Sequence, residues 1–283
     1  MLKPWLYFSM FCLIFTVYAC QEDDALTDPV DKPDADTTST DTIPEYDILA
    51  LNLQLPETPF NYANIQLPPF FNIPGTPNPD NTPANNQISD WGATLGRALF
   101  YDPNLSANNA VACASCHHQE NALADPFVLS AGFEGGHTGR HSMSLTNSRY
   151  YPRGQFFWDE RAATLEDQTL MPIQDAVEMG TKLEDLEQKL ALIPYYPDLF
   201  ERAFGSPEIS SELIARALAQ FIRSMVSFSS KYDEGFTQLT PPQNPATTDF
   251  PNFTELENLG KQVFFDVNRG NCAVCHGTQH FMA

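Results

Sequence analysis

Two copies of the pattern Cys-x-x-Cys-His constrain this chain more than any other feature. The copies are Cys113-Ala-Ser-Cys116-His117 and Cys272-Ala-Val-Cys275-His276. The pattern is typical of c-type haem attachment, in which two thiols bond to the haem vinyl groups and the histidine becomes an axial ligand of the iron. We therefore predict two covalently bound haem c groups, with His117 and His276 as the iron ligands.

Three other interpretations of the paired cysteines remain open at this point. A disulfide within each pair suits an exported protein but gives no reason for the histidine after both pairs. A thioredoxin-like motif belongs in a βαβ unit, which the sequence does not indicate. One zinc site built from both copies is disfavoured because the copies lie far apart in the chain.

The N-terminus has the pattern of a targeting segment. Residues 1–20 contain one charged side chain and an apolar run that is too short to span a bilayer. The segment ends in Val-Tyr-Ala-Cys20, which resembles a lipoprotein cleavage site, although an ordinary secretory signal with a chance cysteine is the alternative. We expect a protein of the periplasm or cell envelope, held to the membrane by lipid on Cys20.

The charge of the chain is strongly acidic. It has 15 basic and 36 acidic residues among 283, a net charge of −21. Such a chain has no basic face for nucleic acid and suits a basic protein partner. Residues 21–45 are acidic and poor in large apolar groups, so we predict a disordered acidic linker.

An internal repeat precedes the two cysteine motifs. The first copy runs from Leu95 to Asp102 (LGRALFYD) and the second from Leu259 to Asp266 (LGKQVFFD). Both resemble the end of an amphipathic helix, with Ser89 and Thr254 as N-caps. The apolar faces are Trp91, Leu95 and Leu99 in the first helix, and Leu256, Leu259 and Val263 in the second.

The repeat predicts a mainly α protein with two cytochrome c-like domains. We place the first haem domain, with a preceding loop, at residues 46–235, and the start of the second at 236–283. Between the motifs, the spacing of apolar residues predicts a buried helix from Ser211 to Phe228. Thr164 and Asp167 form an N-cap pattern for another helix.

Several longer blocks make the sequence similar to the bacterial diheme cytochrome c peroxidase family, which includes the methylamine-utilisation diheme enzyme. The blocks are LGRALFYDPNLS, VACASCH, RHSMSLTN, FWDERAATLEDQ, PIQDAVEMG, ALAQFIRSMVSFSSKYD and CAVCH. They extend from about residue 90 to residue 276 and include blocks that are not general cytochrome features.

The resemblance implies a role for each motif. The haem on His117 would react with hydrogen peroxide, and the haem on His276 would take electrons from a small cytochrome or copper protein. Gln168 and Glu178 match distal-pocket residues, and Trp158 matches a tryptophan between the haems that would act as an electron bridge. Without the resemblance, Glu178 would be interpreted as a solvated acid and Trp158 as a packing residue.

Two positions depart from the family. Phe133 stands where many members carry a distal histidine, so we expect a five-coordinate first haem that needs no reductive activation. His137 and His141 are alternative distal ligands. His141 also replaces a common asparagine near a calcium ion, which makes calcium a weak expectation.

The C-terminus is the largest departure. Seven residues follow His276, and neither His280 nor Met282 is well placed to ligate the second haem. We therefore expect an incomplete second domain.

The predicted function is peroxide reduction with electrons from a small redox protein. The alternatives are a diheme oxidase with another substrate, a non-enzymatic electron-transfer cytochrome, and an inactive truncated product. Family analogy makes a homodimer an expectation.

Overall fold

The computed structural model describes residues 53, 55–71, 79–240 and 243–276. The predicted signal peptide, Cys20, the linker, His280 and Met282 lie outside the described residues. Within the described ranges there are seven α-helices: α1 (Asp90–Tyr101), α2 (Leu165–Gln174), α3 (Leu183–Ala191), α4 (Tyr195–Phe204), α5 (Ser211–Ser224), α6 (Lys231–Thr237) and α7 (Glu255–Phe265). Short 3-10 helices span Pro69–Phe71, Pro103–Leu105, Cys113–Ser115, Gln119–Asn121, Ser148–Tyr150 and Cys272–Val274.

The predicted mainly α fold is confirmed, because β-pairing among the described residues is limited to isolated bridges. None of the described helices is both long and apolar enough to cross a membrane. All of the described residues belong to one compact unit. The proposed division into 46–235 and 236–283 stays a prediction.

Helix α1 begins and ends where its sequence predicts. The Ser89 side chain accepts a hydrogen bond from the Gly92 N–H at 3.0 Å, which confirms Ser89 as the N-cap. The helix ends before Asp102, whose extended conformation is the one favoured by a residue that precedes a proline. At Gly96 an added Cβ atom would overlap the carbonyl of Ala217, so this glycine allows α1 and α5 to approach closely.

Helix α5 is shorter than the sequence predicts. Ser210 is its N-cap, and the helix ends at Ser224 rather than at Phe228. The chain leaves the helix because Asn147 binds the next segment, with its N–H donating to the Met225 carbonyl and its Oδ1 accepting from the Ser227 N–H.

The main core lies between α1, α4 and α5. The most deeply buried residues of these three helices are Leu95, Leu99, Phe100, Tyr196, Leu199, Phe200, Ile214, Ala217 and Leu218. At 25 cal/mol per Å² of apolar surface, each large side chain of this kind contributes about 2 kcal/mol when it is buried. This core forms the floor on which the first cysteine motif rests.

The second repeat has the predicted caps but a different buried face. Thr254 accepts from the Glu257 N–H, and Glu257 accepts from the Thr254 N–H, which confirms the N-cap as a capping box. Leu256 and Leu259, which the sequence places on the apolar face of this helix, are 78% and 45% exposed. Helix α7 turns two polar residues inward instead.

These two residues are Asn258 and Lys261. Asn258 bonds the N–H and the carbonyl of Phe250 at 2.8 and 3.2 Å, and the Lys261 ammonium donates to the carbonyls of Pro245 and Thr248 at 2.6 Å each. The polar face of α7 therefore holds the backbone of residues 245–250, and this local pairing decides which face of the helix is buried.

Candidate haem site

The first cysteine motif folds as one tight turn. The N–H groups of Cys116 and His117 both donate to the Cys113 carbonyl at 3.1 Å, and the Ser115 hydroxyl accepts from the Ala112 N–H at 3.0 Å. This turn places Cys113, Cys116 and His117 in the wall of one cavity.

The second motif repeats the same backbone pattern. The N–H groups of Cys275 and His276 donate to the Cys272 carbonyl at 3.2 and 2.9 Å. The preceding aspartates also match, because Asp102 and Asp266 each accept from the N–H two residues later. Cys272, Cys275 and His276 are exposed among the described residues. The two predicted units are therefore alike in local conformation but not in burial.

The imidazole of His117 is oriented by the main chain. Its Nδ1 atom lies 2.8 Å from the Leu123 carbonyl oxygen. Ala122 and Leu123 adopt left-handed conformations that turn the chain back toward the histidine. Burial lowers the pKa of His117, although hydrogen bonds to the carbonyls of Leu123 and Met143 oppose this effect. A neutral imidazole with Nδ1–H bound to a carbonyl presents Nε2 as the ligand atom.

The cavity beside this motif has an empty volume of about 610 Å³, counted with the part that is open to solvent. Gln168 and Glu178, which the sequence predicts as distal-pocket residues, line it together with His117. The remaining lining residues are Phe100, Val111, Ala112, Ser142, Leu145, Thr169, Pro172, Met179, Leu218 and Ile222. A largely apolar wall with a few converging polar groups is the usual form of a cofactor site.

Gln168 is positioned by helix α2. Thr164 is the N-cap of this helix, as predicted, and accepts from the Asp167 N–H at 3.0 Å. One turn of helix then carries Gln168 and Thr169 to the cavity wall.

Glu178 lies in the turn that follows α2. The Asp175 carboxylate accepts from the N–H groups of Val177 and Glu178 at 2.8 and 3.1 Å, which fixes the turn. Burial raises the pKa of the Glu178 carboxyl, and the negative charge of Asp175 adds to this effect, whereas Arg161 opposes it. A carboxyl group with a raised pKa and an exposed face toward a cavity suits proton transfer near neutral pH.

Phe133 packs against the same turn. Its N–H donates to the Glu178 carbonyl at 3.1 Å, and its own carbonyl accepts from the Asn108 side chain at 2.7 Å. Its ring lies over Gly180, where an added Cβ atom would overlap it.

Neither alternative distal histidine lines the cavity. His137 is exposed, and Nε2 of His141 lies 2.8 Å from the Asp125 carbonyl oxygen. Among the described histidines, His117 alone lines this cavity.

Trp158 lies apart from the cavity lining. Its side chain is 60% exposed, and its indole N–H donates to the His141 carbonyl at 3.0 Å. The structure therefore does not bring Trp158 together with Gln168 and Glu178, and its role as an electron bridge stays a prediction.

The residues around the first motif fit a haem c. All four cysteines of the two motifs are free thiols, so no disulfide forms within a pair. No group of three or more His, Cys, Asp or Glu side chains in the described part of the chain is arranged to hold a metal ion, which leaves the zinc interpretation without a ligand set. Calcium remains a weak prediction.

Sequence reasoning missed several residues that complete the site. Phe100 lines the cavity, with its ring 6.4 Å from that of His117, and Met179 and Pro172 add apolar wall. Asp102, the last residue of the repeated block, accepts a hydrogen bond from the buried Tyr196. The recurrence of this aspartate in both repeats was a signal that could have marked it.

The chain is similar to a known protein family and to several of its members. The sequence profile of the di-haem cytochrome c peroxidase family matches residues 91–239. The methylamine utilization protein MauG of Methylophilus methylotrophus is 35% identical over 205 residues, which cover 72% of this chain and 58% of that protein. The cytochrome c551 peroxidase of Pseudomonas aeruginosa is 34% identical over 149 residues, which cover 52% of this chain and 42% of that protein.

A solved structure agrees with these matches. The crystal structure of a MauG-like protein associated with microbial copper homeostasis superposes with a TM-score of 0.64 at 31% identity, covering 77% of this chain and 60% of that one. The chain thus spans about half of the length of the proteins it matches. With two haem-attachment motifs and a profile match over more than half of its length, the chain belongs to the di-haem cytochrome c peroxidase family.

Proposed function

We propose that this protein reduces hydrogen peroxide to water at the haem held by Cys113, Cys116 and His117. The observation that carries the proposal is that Glu178 and Gln168 line the same cavity as His117. Relatives with cytochrome c peroxidase names, at about one third identity, support the same class of reaction.

The haem, when bound, supplies an iron that binds peroxide and transfers electrons to it. Glu178 would take the proton from one peroxide oxygen and deliver it to the other, which would leave as water. The raised pKa of Glu178 suits a group that must both take and give a proton. The Gln168 amide donates a hydrogen bond that orients the peroxide.

The first haem is proposed to be open to peroxide without prior reduction. Phe133 has no ligating atom, and it is bound by its backbone to Glu178 and Asn108. His137 and His141 lie outside the cavity lining. A low-spin, bis-histidine signal from the first haem of the oxidised protein would contradict this proposal.

The electron donor is proposed to be a small basic redox protein, such as a cytochrome or copper protein. The net charge of −21 favours a basic partner, and attraction of this kind weakens with salt. Turnover that does not change between low and high ionic strength would argue against a basic donor.

The proposed location is the periplasm or cell envelope, with lipid on Cys20. Mass spectrometry of the purified protein tests this, since a lipidated N-terminal Cys20 and the loss of residues 1–19 are expected. A mature N-terminus at another residue would contradict the lipid anchor. A homodimer is proposed by family analogy alone.

The decisive experiment is peroxide turnover with reduced cytochrome c, on protein shown beforehand to carry two haems per chain. Turnover without pre-reduction supports the peroxidase with an open first haem. Turnover only after pre-reduction points to a hidden distal ligand. Absence of turnover in both states contradicts the peroxidase and leaves an electron carrier or an inactive product.

A diheme oxidase of the same superfamily is the second candidate. It is favoured by the 35% identity to a methylamine utilization protein. This candidate would be favoured if reduced cytochrome c did not serve as the electron donor and if peroxide were consumed while a separate organic substrate was oxidised.

A further inference from the structure

A buried tyrosine–aspartate pair lies behind the first cysteine motif and has no part in the proposed reaction. The hydroxyl of Tyr196, on α4, donates to Oδ2 of Asp102 at 2.6 Å, and both residues are buried. The other oxygen of Asp102 accepts from the Asn104 N–H at 2.8 Å. The phenol therefore holds its proton in a short hydrogen bond to a carboxylate in the core.

This pair is close to the haem site. Tyr196 belongs to the core cluster against which Cys113 packs. Phe100 of the same cluster lines the haem cavity, and its ring lies 6.4 Å from the imidazole of His117. Aromatic side chains thus extend from the first motif into the core where Tyr196 lies.

A second cavity lies beyond Tyr195, the neighbour of Tyr196 in the chain. The ring of Tyr195 lies 4.8 Å from that of Tyr196, and Tyr195 lines a cavity with an empty volume of about 980 Å³, including its open mouth. Asp102 and Tyr101 line the same cavity. The two adjacent tyrosines therefore connect the core behind the first cysteine motif to an open cavity at the surface.

The lining of the second cavity has a distinct chemistry. Its apolar walls are Leu53, Leu55, Pro56, Phe60 and Ala98. Arg97 adds one positive charge, with its guanidinium 5.4 Å from the centre of the Phe60 ring, and it forms no ion pair with the described carboxylates. In a chain with a net charge of −21, an arginine in this state is available for an anionic ligand.

We propose that the second cavity binds a small phenol that carries a carboxylate, and that Tyr195 and Tyr196 pass its electron to the first haem. The apolar walls and tyrosine rings suit an aromatic body, and Arg97 suits the carboxylate. The inference rests on the proposed function, because hydrogen peroxide is the oxidant.

The step balances in atoms and electrons. Tyr196 gives one electron to the haem side and its proton to Asp102, because an oxidised phenol is a strong acid. Tyr195 then returns an electron to Tyr196 and releases its own phenolic proton to the water of the open cavity, while the proton on Asp102 moves back to Tyr196. The bound phenol reduces Tyr195, which takes up a proton again, and the phenol loses its own proton to solvent. Two phenols are oxidised to phenoxyl radicals for each hydrogen peroxide that is reduced to two waters.

The test uses the holoprotein with both haems, and ferulate as the phenolic probe. Tyr195→Phe and Arg97→Gln are the test variants, and Tyr232→Phe is the control because Tyr232 lies on α6 beside Phe250. Peroxide-dependent turnover is measured with ferulate and, separately, with reduced cytochrome c. We expect both test variants to lower kcat/KM for ferulate about tenfold and to leave cytochrome c turnover unchanged.

A second readout does not depend on turnover. Rapid freezing after addition of peroxide, followed by electron paramagnetic resonance, should show a tyrosyl radical that narrows when tyrosine is ring-deuterated. We expect Tyr196→Phe to abolish this signal and Tyr232→Phe to retain it. If Tyr196→Phe does not fold, a change in the signal of Tyr195→Phe serves the same purpose.

Three outcomes would overturn the inference. Turnover with cytochrome c but no oxidation of ferulate would contradict the phenol site. Equal oxidation of ferulate by wild type, Tyr195→Phe and Arg97→Gln would place the phenol elsewhere. Absence of peroxide turnover with either donor would overturn the proposed function as well, which distinguishes that failure from the first two.

Discussion

Two hydrogen bonds join the guanidinium of Arg223 to the carboxylate of Glu166, at 2.6 and 3.0 Å, and connect helix α5 to helix α2. The Arg223 side chain is 2% exposed, and Asn86 donates a further bond to Glu166 at 2.7 Å. Because α2 also carries Gln168, this buried pair holds one wall of the haem cavity in place.

Removal of the arginine should be strongly destabilising. Arg223→Ala leaves Glu166 partly buried without its partner, and we expect a loss of about 3 kcal/mol in the free energy of unfolding. Urea denaturation of the holoprotein measures this loss. Lys231→Ala is the control, since its ion pair with Glu257 is exposed and should contribute little. Equal effects of the two substitutions would contradict the assigned importance of the buried pair.

The contribution of Glu166 should depend on pH. Burial alone would raise the pKa of Glu166, but hydrogen bonds from Arg223 and Asn86 outweigh it and hold the pKa below the ordinary value of 4.5. Because the pKa of Glu166 is lower in the folded state, its ionised carboxylate stabilises the fold fully above the ordinary pKa of 4.5. This stabilisation is lost as the pH falls from 4.5 through the pKa of the folded state. We expect the stability difference between wild type and Glu166→Gln to be constant near neutrality and to shrink in acid. If the stability difference between wild type and Glu166→Gln grew in acid, the pKa of Glu166 would not be lowered by folding.

Glu178 should be essential for rapid peroxide reduction. Glu178→Gln keeps the size of the side chain but removes proton transfer, so we expect kcat to fall by about 10²- to 10⁴-fold. Steady-state kinetics with reduced cytochrome c measure the change, and the haem absorption spectrum checks that both haems remain attached. Glu184→Gln, on the exposed side of α3, is the matched control. Retention of more than half of the activity in Glu178→Gln would exclude it as the acid–base group.

The pH profile should report the surroundings of Glu178. The negative charge of Asp175 helps to raise the pKa of Glu178, so Asp175→Asn should lower that pKa and move the acid limb of kcat/KM to lower pH. The asparagine oxygen can keep the bonds from the N–H groups of Val177 and Glu178. Asp185→Asn on α3 should leave the limb in place. A shift to higher pH in Asp175→Asn would contradict the electrostatic argument.

Local sequence signals predicted helices α1, α2, α5 and α7 and the two cysteine motifs, but not α3, α4 or α6. Ser89, Thr164 and Thr254 are N-caps as predicted, because capping depends on a side chain and the N–H groups within the next turn. The end of α5 was missed because Asn147, distant in sequence, binds the segment after Ser224.

The remaining errors have the same origin. The buried face of α7 is set by hydrogen bonds of Asn258 and Lys261 to residues 245–250. The spacing of apolar residues along the helix gives no information about these bonds. The meeting of Gln168, Glu178 and His117 at one cavity came from family resemblance rather than from spacing. The Tyr196–Asp102 pair depends on the packing of α4 against α1, which no local pattern specifies.

The packing of Phe133 on Gly180 gives a final prediction about stability. Gly180 has a φ of +66°, and an added Cβ atom would overlap the Phe133 ring. Gly205 is the matched control, because it has a φ of +78° and no heavy atom near the position of an added Cβ. Alanine at either position carries backbone strain of about 1–2 kcal/mol.

Gly180→Ala should therefore be more destabilising than Gly205→Ala by about 1 kcal/mol or more, since only the first substitution also displaces a packed ring. Urea denaturation of the two holoprotein variants measures the difference. Displacement of the ring would also disturb the bond from the Phe133 N–H to the Glu178 carbonyl, so peroxide turnover should fall in Gly180→Ala and not in Gly205→Ala. Equal stability and equal turnover in the two variants would show that Phe133 does not support the turn that carries Glu178.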